Sequence, residues 1–372
     1  MRMMLTGQVG LDKAQYLQQV QDMAREAGEP VRVFNVGEMM YREAPDVRPG
    51  RILDLPLSRL TSLRRAVFRD ILNEAPRHRH VIVNSHATFR WRNGLFSAFD
   101  FDQLAMLNAD VYVTLLDNVE SVHGRLLRDG TDSHTLKDLL VWREEEILAT
   151  EIISKVSPDR PTPFFVLARG REKSTARTLF RLLTRPGMRK VYPSFPMSHV
   201  VDMPQVLDEI QRFRQKLAGY FIAFDPGDVD EKQLYDRAVA ALGEHQQTLN
   251  IQLDGRTATL RSAEIVSVGA DINGQIYARD FMMVRQSDMI VSLIPELPGG
   301  RPGLSSGVER ELQHAFDHGR EVYVIWKPQS GPSPFITQTA THVFTSVDEA
   351  INHFKMKGMI MPQSLFEAAG TP

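Results

Sequence analysis

The stretch DINGQIYARDFMMVRQSD, residues 271–288, decides the fold of the C-terminal half of this chain. It runs into MIVSLIPEL, an apolar strand that ends in a Pro/Gly-rich loop, and SSGVERELQHA follows at residues 305–315. In an open α/β sheet, ligands bind outside the carboxyl ends of the strands, where such loops gather. A carboxylate at that place can act as a nucleophile or as a general acid or base. The candidates at these strand-to-helix junctions are Asp280, Asp288, Glu309 and Glu311.

Length and composition predict a globular chain of two domains, or at most three. Of its 372 residues, 42% are hydrophobic and 24% are charged, which is typical of a soluble protein. The formal charge of −2 gives no electrostatic reason to expect nucleic acid or an anionic membrane as a partner. The absence of cysteine excludes disulfides, thiolate metal sites and cysteine nucleophiles, and it fits a reducing cytoplasm. No signal peptide or membrane-spanning segment is expected.

Strand and helix signals alternate along the first half. Apolar strands are predicted at residues 3–6, 31–36, 80–86, 111–117 and 164–169, and the clearest helices at 11–26, 57–73 and 171–183. This alternation is typical of a doubly wound parallel sheet. We therefore predict a first α/β domain at residues 1–184, and RPG at 185–187 is a candidate linker to the next.

The same alternation restarts after the linker. Strands are predicted at 190–195, 220–225, 289–296, 321–327 and 342–346, with helices at 204–216, 307–319 and 347–355. We predict a second doubly wound α/β domain at residues 188–358, and a tail at 359–372 that is frayed or packs on a neighbouring subunit. Residues 234–263 show no clear pattern.

The turn GQVGLDKA, residues 7–14, joins the first strand to the first helix, where a phosphate-binding loop belongs. Backbone N–H groups of such a turn can bind phosphate oxygens, and Lys13 stands at the P-loop lysine position. Two positions depart from G-x-x-x-x-G-K-[ST]: Asp12 replaces the second glycine, and Ala14 replaces the hydroxyl that would hold Mg²⁺. Asn84 stands where a Walker B acid is expected. Read from the residues alone, the turn is equally a Gly-rich connection between strand and helix.

Three further segments of the first domain follow this turn in order. They are FNVGEMMYREA at 34–44, VIVNSHATFRWRNG at 81–94 and GRLLRDGTDSHTLKDLLVWREEE at 124–146. With the turn, they resemble the archaeal-type adenylate kinase branch of the P-loop kinases. The resemblance implies lid arginines near the phosphates and an acceptor-nucleotide side, and the implied nucleotide-binding residues are Gly7, Gly10, Lys13, His86, Thr88, Arg125 and Arg128. Because the departures fall on phosphate and metal positions, we expect a degenerate domain that binds ATP or another nucleotide without an efficient Mg²⁺ site, or one that serves only as a scaffold.

Three segments of the second half carry another resemblance. They are VYPSFPMSH at 191–199, IYARDFMMVRQSDMIVSLI at 276–294 and GVERELQHAFDHGREVYVIW at 307–326. In order and spacing they resemble the nucleoside 2-deoxyribosyltransferase-like family, which has a flavodoxin-like fold. The resemblance implies cleavage or transfer at the N-glycosidic bond of a nucleoside or nucleotide. It also implies a homo-oligomer, because a neighbouring subunit completes the pocket in this family.

Carried over position by position, the resemblance makes Glu311 the nucleophile that attacks the anomeric carbon. Asp280 would hydrogen-bond or protonate the departing base, and Tyr192 would tune the nucleophile. Glu309 is the alternative catalytic acid, two residues away and on a different helix face. The implied substrate-binding residues are Asp288, Ser305, Ser306 and Gly307. Read from the residues alone, Glu309 is equally a partner of the helix macrodipole, and Asp280 and Asp288 are equally helix caps.

Two alternatives to glycosidic chemistry remain open. The chain is a nucleotide kinase with a nucleotide-sensing second domain, which Lys13 and the lid arginines favour, or a non-catalytic nucleotide sensor that acts through oligomerisation. Glycosidic chemistry at a glutamate needs no cofactor. No metal site is expected, because the histidines at 80, 86, 314 and 318 do not form a ligand spacing.

Overall fold

The computed structural model describes residues 1–48, 50–91, 94–130, 134–156, 162–169, 173–197, 200–253 and 256–360. Parts of the predicted lid (131–133), of the VYPSFPMSH segment (198–199) and of the tail (361–372) therefore lie outside the described residues.

The strands are β1 Arg2–Thr6, β2 Val31–Asn35, β3 His80–Asn84, β4 Thr88–Trp91, β5 Gly94–Ser97, β6 Val111–Leu116, β7 Phe164–Ala168, β8 Lys190–Ser194, β9 Ile222–Ala223, β10 Thr248–Leu253, β11 Arg256–Arg261, β12 Met289–Ile294, β13 Glu296–Leu297, β14 Arg301–Pro302, β15 Glu321–Trp326 and β16 His342–Phe344. The helices are α1 Lys13–Glu26, α2 Val36–Glu43, α3 Leu57–Glu74, α4 Phe101–Leu107, α5 Val119–Arg128, α6 Leu136–Ser154, α7 Lys173–Thr184, α8 Pro204–Tyr220, α9 Lys232–Gly243, α10 Ser262–Ser267, α11 Gly269–Gln286, α12 Ser306–Asp317, α13 Pro334–Thr339 and α14 Val347–Met356.

The chain forms two compact units. The first consists of Met1–Thr184 and Glu231–Asn273, and the second consists of Arg185–Asp230 and the described residues from Gly274 onward. The first unit ends its main segment where the predicted first domain ends. Residues 231–273, which we expected inside a domain at 188–358, pack instead with the first unit.

Buried polar contacts explain why this segment belongs to the first unit. The Glu231 carboxylate accepts hydrogen bonds from both Nη atoms of Arg143, at 2.7 and 3.0 Å, and from the Val119 N–H at the start of α5. Both charged side chains are almost fully buried. A buried ion pair costs desolvation unless its hydrogen bonds are made, and here they are. Leu136 N–H also donates to Glu264, at the start of α6.

The first unit is built on a five-stranded parallel sheet in the order β2-β3-β1-β6-β7. Every residue of β3 and β6 is buried, which agrees with apolar runs covered by helices on both faces. One side of the core is formed around Met4, Phe34, Phe68, Val81 and Ile153. The β4–β5 hairpin and the β10–β11 hairpin, which were not predicted, stand outside this sheet.

The second unit is built on another five-stranded parallel sheet, in the order β16-β15-β12-β8-β9. Its core includes Val191, Phe213, Val291, Ile325 and Phe354. The predicted fold class, two doubly wound parallel-sheet α/β domains, is thus confirmed. The predicted strand at 220–225 is reduced to two residues because α8 continues to Tyr220.

Candidate functional site

A carboxylate held by two hydroxyl groups lies at the centre of the second unit. Tyr192 Oη donates to Glu311 Oε1 at 2.8 Å, and Ser194 Oγ donates to Glu311 Oε2 at 2.6 Å. Tyr192 and Ser194 are two residues apart on β8, so their side chains leave the same face of the strand. Glu311 reaches them from the second turn of α12 and remains partly exposed, whereas both hydroxyl residues are fully buried.

A second serine supports this contact from the neighbouring strand. Ser292, in the middle of the apolar β12, donates to Ser194 Oγ at 3.3 Å, and both serines are fully buried. The strands pair in register at these two residues. We did not predict either serine. The signal available in the sequence was a serine at the end of the strand KVYPS and a serine within the otherwise apolar strand MIVSLI.

Asp280 lies close enough to the carboxylate for their charges to repel. It is 8% exposed, and Arg279 Nε donates to its Oδ1 at 3.1 Å. Burial raises the pKa of Asp280, while the adjacent guanidinium lowers it. The Nη1 atom of Arg279 is also buried and has no hydrogen-bond partner among the described residues. Arg279, which sequence reasoning missed, therefore offers a donor that a bound substrate can use.

The site raises the pKa of its acidic groups. Burial, together with the negative charge of Asp280, raises the pKa of Glu311 to about 8 against the opposing hydrogen bonds from Ser194 and Tyr192. Burial and the neighbouring Glu311 raise the pKa of Tyr192 well above its usual value. With its pKa at about 8, Glu311 holds a proton at neutral pH beside the negative charge of Asp280, so the site presents one carboxylic acid and one carboxylate together.

The other predicted residues of this half do not all reach the carboxylate. Glu309 is exposed, on the solvent-facing side of α12. Ser305 caps α12, accepting from Val308 N–H at 3.3 Å, and Ser306 and Gly307 form the exposed first turn of the helix that carries Glu311. Asp288, expected to bind substrate, instead accepts from the Lys190 N–H at 2.8 Å. Because that contact joins the amino ends of β8 and β12, Asp288 anchors the sheet at the end away from Ser194.

The phosphate-type turn in the first unit has the geometry of a glycine-dependent loop. Gly7 has φ +136°, and a Cβ there would lie 2.5 Å from the Leu115 carbonyl oxygen. Gly10 has φ +86°. Asp12 occupies the left-handed region at φ 47°, where the usual motif has its second glycine. Its carboxylate is held by both Nη atoms of Arg128, at 3.0 and 3.1 Å.

An internal carboxylate occupies the end of this turn. Glu146 on α6 is fully buried and accepts from the backbone N–H groups of Gly7, Ala87 and Thr88, at 3.0, 2.7 and 2.8 Å. It also accepts from Thr88 Oγ1 at 2.6 Å. A carboxylate with four donors is a satisfied buried anion. Sequence reasoning missed Glu146. Its carboxylate accepts the hydrogen bond from the Gly7 N–H, which we had expected to bind a nucleotide.

Lys13 is turned to the same cluster. Its Nζ donates to the carbonyl oxygen of Gly7 at 2.8 Å and to that of Ser85, and it lies 3.4 Å from His86 Nδ1. Burial lowers the pKa of Lys13 to about 7, although the charge of Glu146 opposes this, and burial lowers that of His86 to about 3. The predicted nucleotide-binding residues thus divide into two groups. Gly7, Lys13, His86 and Thr88 surround Glu146.

Gly10, Arg125 and Arg128 form the other group. Arg125 Nη1 donates to the Gly10 carbonyl oxygen at 3.2 Å, and its Nη2 lies 2.8 Å from Asp117 Oδ2.

Among the described residues, no cluster of three or more His, Asp or Glu side chains has the arrangement of a metal site. No helix in the described part of the chain is long and apolar enough to cross a membrane.

Comparison with protein families gives one match. Residues 6–143 match the family model described as "AAA domain", from the last residue of β1 into α6. The match supports the P-loop kinase-like assignment of the N-terminal region. No curated protein gives a significant match to the chain.

Shikimate kinase and phosphoglycerate kinase structures are among the solved structures that match this chain. Shikimate kinase from Bacteroides thetaiotaomicron is 13% identical over 49% of this chain and 97% of its own, with a TM-score of 0.33. Phosphoglycerate kinase from Coxiella burnetii is 11% identical over 96% of this chain and 95% of its own, with a TM-score of 0.19. At these values neither similarity indicates an activity for this chain.

Proposed function

We propose that this protein cleaves or transfers the N-glycosidic bond of a nucleoside or nucleotide, with Glu311 as the nucleophile. The observation that carries the proposal is the contact of one carboxylate with Tyr192 Oη and Ser194 Oγ, at 2.8 and 2.6 Å, beside the buried Asp280. Two hydroxyl donors hold the carboxylate in one orientation, which is what attack on a carbon centre requires. The reaction needs no cofactor.

The proposed reaction has two steps. In the first, a Glu311 oxygen bonds to the anomeric carbon while the C–N bond breaks, and its electron pair leaves with the base. The proton that the base takes up is the one that Glu311 holds at neutral pH, and Asp280 relays it to the departing base. In the second step, water or another base attacks the same carbon and releases the carboxylate. The free Nη1 donor of Arg279 would orient a carbonyl or phosphate oxygen of the substrate.

A nucleotide kinase is the second candidate function. It is favoured by the family match at residues 6–143 and by Lys13 at the P-loop position. In that case the second unit would sense a base or nucleotide. The contacts of Glu146 with Gly7 and of Lys13 with backbone carbonyl oxygens count against it, because phosphoryl transfer depends on free donors at these places.

The experiment that separates the two is chromatography of a nucleoside and nucleotide panel incubated with the full chain, with and without ATP and Mg²⁺. We expect free base without ATP, and none with Glu311→Gln. The matched control is Glu309→Gln, an exposed glutamate on the same helix, which should keep the activity. New phosphorylated nucleotide without free base would reject the glycosidic proposal in favour of the kinase. Binding without turnover would favour the non-catalytic sensor.

We also propose that the protein is a homo-oligomer, on the basis of the deoxyribosyltransferase-like resemblance. Light scattering after size-exclusion chromatography tests this directly, and a monomer that retains full glycosidic activity would contradict it.

A further inference from the structure

Arg279 and Asp280 form a buried hydrogen-bonded pair in which each member keeps an unused polar atom. Arg279 Nε donates to Asp280 Oδ1 at 3.1 Å, and both side chains are almost fully buried. The Nη1 atom of Arg279 has no hydrogen-bond partner among the described residues. The Asp280 Oδ2 atom likewise makes no hydrogen bond with a described residue. Because a buried donor without a partner costs free energy, the pair is suited to hold a ligand.

The charges of this pair act on the proposed nucleophile and on the tyrosine that contacts it. Burial raises the pKa of Glu311, and the negative charge of Asp280 raises it further. Burial, Glu311 and Asp280 raise the pKa of Tyr192, and the charge of Arg279 opposes them. All four residues belong to the second unit. The unused atoms of the pair therefore lie at the site where the reaction is proposed to occur.

The role of Asp280 decides which part of a substrate the guanidinium meets. This step rests on the glycosidic function proposed above, in which Asp280 relays a proton to the departing base. A donor on the residue that is hydrogen-bonded to Asp280 then lies next to the base. The sugar separates the base from a 5′-phosphate. Arg279 Nη1 is consequently placed to bind an oxygen of the base.

Two neighbouring donors recognise two neighbouring acceptors. When Asp280 relays the proton it is a donor, and the guanidinium of Arg279 is a donor at every working pH. The N7 and O6 atoms of a 6-oxopurine are adjacent acceptors, and arginine commonly binds this edge. Adenine presents N7 beside an amino group, which is a donor and would oppose the guanidinium. The pair is therefore complementary to one class of purine and not to the other.

We propose that Arg279 makes the second unit select a 6-oxopurine over adenine as the departing base, with Nη1 donating to O6 while Asp280 relays a proton to N7. A Glu311 oxygen bonds to the anomeric carbon as the C–N bond breaks, and the electron pair of that bond leaves with the base. The proton held by Glu311 passes through Asp280 to N7, so the base departs neutral. Arg279 keeps all of its protons and acts as a specificity-determining residue.

Substrates that differ only in the 6-oxo or 6-amino group of the base test this proposal. Inosine and adenosine form one such pair, and the 2′-deoxynucleosides and the 5′-monophosphates of the same two bases form the others. The full chain is incubated with each member, and free base is measured by chromatography. We expect kcat/KM to be at least about tenfold higher for the 6-oxo member, because adenine leaves the buried guanidinium donor unpaired.

Variants of two arginines on α11 assign this preference to one side chain. Arg279→Met should lower the ratio of the two kcat/KM values by about tenfold, and Arg279→Lys, which keeps a charged donor, should restore part of it. The matched control is Arg285→Met, at an exposed arginine of the same helix, and it should change the ratio by less than about twofold. Partial unfolding of a variant would lower both rates equally and leave the ratio unchanged.

Binding to Asp280→Asn separates base selection from catalysis. The oxygen of the asparagine amide can accept from Arg279 while its nitrogen donates to N7, and the variant cannot relay a proton. In calorimetric titrations it should bind the 6-oxo member of a pair at least about tenfold more tightly than the 6-amino member, and the added Arg279→Met should abolish this difference.

The outcomes distinguish the two proposals. Free base released equally well from both members of a pair would reject base selection and leave the glycosidic function standing. A 6-oxo preference in binding, without free base from any substrate, would reject the glycosidic function and support base selection by Arg279. If there is neither free base nor a preference in binding, both proposals are rejected.

Discussion

Replacing Glu311 by Gln should make the second unit more stable at high pH and leave it slightly less stable at low pH. Burial raises the pKa of Glu311 from 4.5 to about 8, so between these values the folded protein holds a proton that the unfolded chain has lost. The stability of the wild-type protein therefore falls as pH rises through this window. Each pH unit corresponds to about 1.4 kcal/mol, which gives an upper limit of about 5 kcal/mol above pH 8. Because the carboxylate is partly exposed, we expect about 2 kcal/mol.

The amide of the variant carries no charge and has one acceptor oxygen instead of two. It should lose about 1 kcal/mol at pH 5, where the wild-type carboxyl group is neutral, through one weakened hydrogen bond from Tyr192 or Ser194. At pH 9 the relief of the buried charge should exceed this loss, and removal of the charge also relieves Asp280. The difference between variant and wild type should thus change sign between these pH values.

Urea unfolding of the wild type and of Glu311→Gln at pH 5, 7 and 9 measures this difference in stability. Hydrogen exchange of peptides from β8 and β12 reports on the second unit alone. Glu309→Gln is the control, and its effect should stay within about 0.5 kcal/mol at every pH because this side chain is exposed. A constant offset between wild type and Glu311→Gln across the range would refute the reasoning, since it would mean that Glu311 titrates as an ordinary solvated carboxyl group.

Three further outcomes follow from the contacts of single side chains. Tyr192→Phe removes a hydrogen-bond donor to the proposed nucleophile Glu311. The pH profile of kcat/KM for glycosidic cleavage should therefore move to higher pH, and activity at pH 7 should fall about tenfold. An unchanged profile would show that this hydrogen bond does not lower the pKa of Glu311. Glu146→Ala leaves buried N–H groups without an acceptor and should lower the free energy of unfolding by about 3–5 kcal/mol, measured by chemical denaturation. The control Glu145→Ala, on the same helix, should lower it by less than about 1 kcal/mol. Equal losses would contradict the role of Glu146 as a buried anion that holds the turn. Glu231→Ala leaves the buried guanidinium of Arg143 without its carboxylate partner, and limited proteolysis should then cut the segment at 231–273 more readily. If the segment resists proteolysis as well as in the wild type, Glu231 does not anchor it.

The local pattern of apolar residues was sufficient to predict most strands of the two parallel sheets. The parallel strands of both sheets are short apolar runs between helical segments, and such runs are determined by the residues they contain. The β10–β11 hairpin was missed although its signal is in the sequence, because TLNIQL at 248–253 alternates polar and apolar residues and is followed by the dipeptide Asp-Gly, which is typical of hairpin turns. Residues 231–273 were assigned to the wrong compact unit for a different reason: the contact between Glu231 and Arg143 joins positions 88 residues apart.

The sequence by itself determined two doubly wound α/β domains and a glycine-dependent turn, because the signals for strands, helices and turns are local. Its resemblance to the deoxyribosyltransferase-like family is what placed Glu311, Tyr192 and Asp280 in one site. Only the tertiary structure decided that Ser194 and Ser292 complete the carboxylate contact, that Glu309 faces solvent, and that Asp288 belongs to the other end of the sheet. It alone placed Glu146 at the end of the turn. The physical reason is that burial and hydrogen bonding depend on which distant segments pack together. These contacts decide whether an acidic side chain is a solvated charge such as Glu309, a buried structural anion such as Glu146, or a carboxyl group with a raised pKa such as Glu311.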